Sequence, residues 1–183
     1  MASILLNNND IKLHFHIFTD IFNQEQEKLF SMLSKQYKTP ITIYLLNTDI
    51  LQKLPTNKLW SNAMYFRLII SDYFFEKLDK FLYLDDDIIC QSNLSELQQM
   101  TIDNHIAIVV TDRDEALWKK RAEELKTPEI KKGYFNSGVM LINVNMWREE
   151  NVTKKTLDLL SSEDPKNIFS YYASRCIKYY SFR

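Results

Sequence analysis

Apolar and polar positions follow two rhythms along this chain. Ile11-Lys12-Leu13-His14-Phe15-His16-Ile17-Phe18 alternates residue by residue and predicts a strand. Residues 25–36 carry Leu29, Phe30, Met32 and Leu33 at helical spacing, which predicts a helix packed on a sheet and stopped by Pro40. Ile41-Thr42-Ile43-Tyr44-Leu45 predicts a second strand, and strand–helix–strand order implies a parallel, right-handed crossover. Residues 47–57 form a polar loop with Pro55, and 60–75 then predict a helix with Tyr65, Leu68, Ile69 and Tyr73 among its apolar positions. Strands are expected at 81–84, 106–110 and 139–143, and helices at 92–99, 114–126 and 145–160. Residues 3–9 look like a helix end running into an Asn-rich turn, while 171–183 show no clear period. Alternating helices and strands give an α/β fold class.

The most informative junction is Phe81-Leu82-Tyr83-Leu84-Asp85-Asp86-Asp87. A short apolar run reads as a buried strand, and its carboxyl end is where open α/β sheets bind ligands. Three adjacent carboxylates repel, so the cluster calls for a cation. Oxygen-only ligands suit a hard ion, Mg²⁺ or Mn²⁺. If the segment stays extended, Asp85 and Asp87 share one side and Asp86 points away, free to accept hydrogen bonds. The alternative is a loop whose Asp caps the next helix, although a cap needs one Asp and not three.

Three other features invite chemistry. Arg67 lies among Tyr65, Phe66 and Leu68, which raises partial burial facing an anion to an even balance with the usual surface placement. Asn136-Ser137-Gly138 offers short polar groups and close backbone approach, or simply a turn before a strand. His14 and His16 share a face with Lys12, more in keeping with a solvated edge than with a ligand pair, and His105 reads as structural.

Composition narrows the classes. At 183 residues the chain has room for one domain with a real core. A net charge of −1 gives no sign of broad electrostatic binding of nucleic acid. With only 2 glycines, neither the dinucleotide nor the P-loop fingerprint can be written. Cys90 and Cys176 have no metal or redox spacing and fit a reducing, cytosolic setting. No apolar run has the length of a membrane-crossing helix, and the start lacks the basic residues of a signal peptide.

Ala63-Met64-Tyr65-Phe66-Arg67-Leu68, then Asp79-Lys80-Phe81-Leu82-Tyr83-Leu84-Asp85-Asp86-Asp87-Ile88, then Tyr134-Phe135-Asn136-Ser137-Gly138-Val139 together resemble family 8 of the glycosyltransferases. Leu54-Pro55 to Trp60-Ser61 and Met146-Trp147 are similar to its bacterial lipopolysaccharide core hexosyltransferases, which add glucose or galactose from a UDP-sugar. The resemblance implies a nucleotide-diphospho-sugar transferase fold of the GT-A type: a mixed, mostly parallel sheet between helices, here incomplete at both ends. It implies transfer with retention of configuration. Asp85 and Asp87 would match the metal-binding Asp-x-Asp that holds Mn²⁺ or Mg²⁺ on the UDP diphosphate. Asp86 would touch the nucleotide side. Arg67 and Asn136 would match donor-sugar contacts, with Ser137 beside them. Implied partners are UDP-glucose or UDP-galactose and a lipopolysaccharide core acceptor, with no nucleic acid. The implied location is the cytoplasm, peripheral to the inner membrane. The motif of an apolar strand before Asp-x-Asp also opens haloacid-dehalogenase-like phosphatases, where Asp85 would be the nucleophile, and a non-catalytic remnant is the third reading.

The resemblance also defines departures. The family's opening strand and uridine-binding loop precede the point where this chain starts, and its later His-x-x-Gly segment with the third metal ligand has no counterpart. Where the family has Asp-Gln-Asp, this chain has Tyr172-Ala173-Ser174-Arg175-Cys176, so no catalytic residue is assigned. Residues 1–172 are therefore expected to form a partial family 8 domain, inactive or nearly so, and 173–183 a non-family tail. Ala173-Ser174-Arg175-Cys176-Ile177-Lys178-Tyr179-Tyr180 can be encoded so that the next frame reads His-Gln-Asp-Ala-Leu-Asn-Ile-Ile. A frameshift near codon 173 is the expected cause. Sequencing the DNA checks it, and codons that yield no Gln-Asp-Ala-Leu in the shifted frame reject it.

Overall fold

The computed structural model describes residues 1–52, 54, 62–124 and 128–162. The segment Pro55 to Ser61, the end of the 114–126 helix and the whole tail expected at 173–183 lie outside the described residues. The chain forms two compact units, Met1–Lys53 with Asp86–Met100, and Leu54–Asp85 with Thr101–Arg183.

The first unit holds α1 (Ala2–Asn7), β1 (Phe15–Thr19), α2 (Gln24–Tyr37), β2 (Ile41–Leu45) and α4 (Ser95–Gln99). As expected, β1 and β2 pair in parallel, Ile17 opposite Ile43, with α2 as the crossover. The Asn-rich turn after α1 is a fastener for residues 90–94. Asn7 Nδ2 donates to Cys90 O at 3.0 Å, Asn8 Oδ1 accepts from Leu94 N at 2.6 Å, and Ser3 Oγ accepts from Cys90 N at 3.0 Å. Asn23 and Gln26 close a capping box that starts α2, and Lys38 ends it in the left-handed region at φ 49°.

Two expectations are corrected here. The alternating run begins as a strand only at Phe15, so Lys12 and His14 precede it. Burial on α2 also differs: Leu29 and Met32 are exposed, while Phe30 and Leu33 are half-buried. The four apolar positions span more than one face, and the sheet covers only part of that arc. His14 Nε2 meets Thr42 Oγ1 at 2.8 Å and His16 Nδ1 meets Tyr44 OH at 2.8 Å, the two rings stacking 4.0 Å apart.

The second unit contains α3 (Phe66–Phe74), β3 (Lys80–Leu84), β4 (Ala107–Thr111), α5 (Glu115–Glu124), β5 (Phe135–Asn143), α6 (Val144–Glu149) and α7 (Val152–Ser162). Its sheet has the order β3-β5-β4, with β5 antiparallel to both neighbours. Parallel and antiparallel pairings therefore both occur in this α/β fold. The core gathers Tyr65, Leu68, Phe135, Met140, Ile142, Val144, Trp147 and Val152, each at most 1 % exposed.

The helix expected over 60–75 is a 3₁₀ turn at Asn62–Tyr65 followed by α3. The helix expected over 145–160 is two, because Asn151 takes φ 52°, a left-handed conformation that Asn tolerates better than most residues. The break lets Trp147 Nε1 donate to Thr153 Oγ1 at 3.0 Å, and Thr153 Oγ1 donate to Leu68 O at 3.2 Å.

The stacked histidines make stability depend on pH. Burial, and then the nearby His14, hold His16 below its ordinary value of 6.5. The unfolded chain then binds protons more readily than the folded one. Stability is fully present above the ordinary value and is lost as pH falls toward the lower folded value. Urea midpoints measured from about pH 7.5 to 5.5 should fall on acidification, with a shallower slope in His16→Gln.

Candidate functional site

The site grows from the junction of three elements in the second unit. Strand β3 alternates, so Tyr83 and Asp85 point to the same face. The ladder continues one residue beyond β3, since Asp85 N donates to Gly138 O at 2.9 Å. Arg67 stands in the first turn of α3, 7 % exposed. Its Nη2 donates to Asp85 Oδ1 at 3.0 Å, its Nη1 to Ser137 O at 2.7 Å and its Nε to Met64 O at 3.0 Å. Tyr83 OH donates to the same Asp85 Oδ1 at 2.7 Å, and the guanidinium lies 4.9 Å from the Tyr83 ring centre. A cation is thus held by two carbonyls, one carboxylate and an aromatic face.

Strand β5 supplies the third wall. On the β4 side its register jumps: Val109 faces Met140, but Val110 faces Asn136. The irregularity leaves Ser137, Gly138 and Val139 outside that ladder while Leu84 still pairs with Val139. Asn136 is exposed, and its Oδ1 accepts from Gly138 N at 2.7 Å. Gly138 is needed for space. A Cβ there would sit 2.7 Å from Asp85 Oδ2 and 2.9 Å from Asn136 Oδ1.

Arg67, Asp85, Asn136 and Ser137 are therefore brought together, with Ser137 entering through its carbonyl. Arg67 is buried against an anion, as its aromatic neighbours suggested. Asn136-Ser137-Gly138 lies inside β5, so the plain-turn alternative is corrected: the Asn side chain bonds within an irregular strand. The extended run through the triplet is corrected too. Asp86 and Asp87 form a turn, both exposed, and open the Asp86–Met100 segment of the first unit. Three adjacent like charges favour a geometry that gives each its own access to water. Alternation therefore says nothing about Asp87. One residue that sequence reasoning passed over also belongs here, Tyr83, while Gly138 supplies the close approach its residue type suggested. Period-2 spacing from Asp85 was the available signal for Tyr83.

Among the described residues, no group of three His, Cys, Asp or Glu side chains is arranged to hold a metal ion. Two hollows of the second unit, of about 520 and 290 Å³, have other linings, Arg113 to Lys120 in one and Asp72 with Trp147 and Arg148 in the other. In the second, burial raises Asp72 above its ordinary value, against the opposing pull of Thr153 and Arg148.

The fold resembles that of solved glycosyltransferases. The galactosyltransferase LgtC, solved with donor and acceptor sugar analogs, superposes with a TM-score of 0.77 at 21% identity, covering 94% of this chain and 62% of that one. The bifunctional glycosyltransferase WbbM superposes with a TM-score of 0.69 at 17% identity, covering 94% of this chain and 34% of that one. Residues 1–177 match Glycosyl transferase family 8, and the chain belongs to that family. It is 44% identical over 167 residues to the lipopolysaccharide 1,3-galactosyltransferase of Salmonella typhimurium, covering 91% of this chain and 49% of that protein. It is 46% identical over 165 residues to the lipopolysaccharide glucosyltransferase WaaO of Escherichia coli, covering 90% of this chain and 49% of that protein. The chain thus spans about half the length of these relatives. Family membership leaves the phosphatase reading of Asp85 without support.

The geometry makes Gly138 a sensitive position. In Gly138→Ala the added methyl meets the ends of two side chains rather than backbone. The expected result is a folded protein, less stable by about 1–3 kcal/mol in urea denaturation. Its Asp85 carboxylate should be rotated off Arg67 in a crystal structure.

Proposed function

We propose that this chain carries the donor-binding part of a retaining UDP-hexose transferase that adds glucose or galactose to a lipopolysaccharide core. The observation that carries the reading is the Arg67–Asp85 pair at the end of β3, with Asn136 beside it on β5. A family 8 chain that places a fixed cation, a strand-end carboxylate and an exposed amide on one side has what a sugar diphosphate needs. The names and identities of the relatives support the substrate class.

Asp85 and Asp87 would hold Mn²⁺ or Mg²⁺, and Asp86 would face the nucleotide. The donor set fits such an ion. It is all oxygen, Asp86 and Asp87 are exposed, and Asp85 Oδ2 accepts no hydrogen bond from the described residues. Among the described residues too few carboxylates are grouped to complete a coordination shell, and diphosphate oxygens would supply the rest. The chemistry supplied by a bound divalent ion is neutralisation of the negative charge that grows on UDP as the sugar leaves.

The chain's own groups do the remaining work. Arg67, held by two carbonyls, keeps a positive charge fixed beside the diphosphate or the sugar hydroxyls. Asn136 can donate to and accept from sugar hydroxyls through its amide. Ser137 lends its carbonyl to Arg67 and so fixes that cation relative to β5. Among the described residues no helix is long and apolar enough to cross a membrane. The lipopolysaccharide relatives favour peripheral access to a lipid-borne acceptor, at the cytoplasmic face of the inner membrane.

Calorimetric titration with UDP-glucose and UDP-galactose, each with and without Mn²⁺, tests the reading. Binding should require Mn²⁺, and Asp85→Asn or Asp87→Asn should strongly weaken the Mn²⁺-dependent part. A chain that melts cooperatively yet binds neither sugar nucleotide is a non-catalytic remnant, and the proposal fails.

A further inference from the structure

A carboxylate rotates easily about its last torsion, so one partner rarely decides which oxygen it presents. Arg67 alone could take Asp85 through either oxygen, or through both. In this chain two donors converge on Oδ1: Arg67 Nη2 at 3.0 Å and Tyr83 OH at 2.7 Å. Together they fill the lone pairs of one oxygen and leave Oδ2, above Gly138, as the oxygen on offer. Tyr83 touches both members of the pair, because the guanidinium also lies 4.9 Å from its ring centre. Pairing of Tyr83 with Met140 across the ladder fixes the ring's place on the strand.

We infer that Tyr83 is a positioning residue for the donor site. It locks Asp85 so that Oδ2 alone faces a divalent cation, and it braces Arg67 from below. The inference rests on the donor-site reading above. It adds a residue that acts only through its neighbours, since Tyr83 itself need touch neither nucleotide nor sugar.

The test is Mn²⁺ affinity, read by electron paramagnetic resonance on the full chain with UDP present. Four proteins are compared: wild type, Tyr83→Phe, Asp85→Asn and the double variant. Tyr83→Phe keeps the ring and removes only the hydroxyl. Its Mn²⁺ affinity should fall roughly tenfold, as for other groups that orient a metal ligand. Its melting temperature should drop by no more than about 4 °C. In the Asp85→Asn background the same change should have no further effect, because Tyr83 then has no carboxylate to orient. Unchanged affinity in Tyr83→Phe, or equal losses in both backgrounds, overturns the positioning role while leaving the donor site standing. Loss of the cooperative melt in Tyr83→Phe overturns it as well, since the hydroxyl would then be serving the fold. Failure of the wild-type chain to bind Mn²⁺ and UDP overturns the donor-site reading and this role with it.

Discussion

Arg67 sits 7 % exposed inside the second unit, and taking a guanidinium out of water costs several kcal/mol unless its charge and donors are matched. The matching groups come from three directions: Met64 O from the preceding turn, Ser137 O from β5 and Asp85 Oδ1 from the end of β3. None of these elements could shift by an ångström without leaving the cation unsatisfied. The pair is therefore less a source of net stability than a constraint on register, the best-attested use of a buried charge. Helix α3, strand β3 and strand β5 are bound to a single relative geometry, and that geometry is what the site uses.

Strand β5 answers the same constraint from the other side. A regular strand would carry all nine residues in one register against β4. The shift between Val109 and Val110 frees Ser137 and Gly138 from that ladder. The Ser137 carbonyl can then turn to Arg67, while Gly138 still lends its carbonyl to Asp85 N. Bulges recur beside functional sites because they re-aim groups without breaking the sheet. Here the re-aiming depends on the missing side chain at Gly138, whose Cβ would occupy the space Asp85 needs.

Much of this was legible in the sequence, for reasons that differ by element. Period-2 and period-3.6 patterns placed β2, α5 and the crossover of the first unit, because burial on one face leaves a direct mark on residue type. The break at Asn151 was not legible, since one left-handed residue leaves no periodic trace in a chain that stays amphipathic on both sides. Exposure of Leu29 and Met32 was equally hidden, because periodicity reports a helix face and not whether anything covers it. At the site, residue types alone raised Asp85, Arg67 and Asn136, and the family resemblance joined them. Tyr83 went unnoticed because aromatic residues in a strand are ordinary core, and only the hydroxyl's partner distinguishes this one.

The aspartate triplet changes meaning once its neighbours are known. Three adjacent carboxylates looked like one cluster demanding one cation, but they are not equivalent. Asp85 is already neutralised from within the second unit by Arg67 and accepts a further hydrogen bond from Tyr83. Asp86 and Asp87 stand exposed in a turn, where water and salt screen much of their repulsion. The unmet negative charge is thus smaller than the sequence implies, and a fixed guanidinium beside Asp85 opposes a bare divalent ion. A diphosphate reverses that balance: it adds hard oxygen ligands for the ion and gives Arg67 a second anion to face. Cation and sugar nucleotide should therefore bind together, each weakly without the other. In the proposed donor site, such coupling would keep free metal out when no donor is at hand.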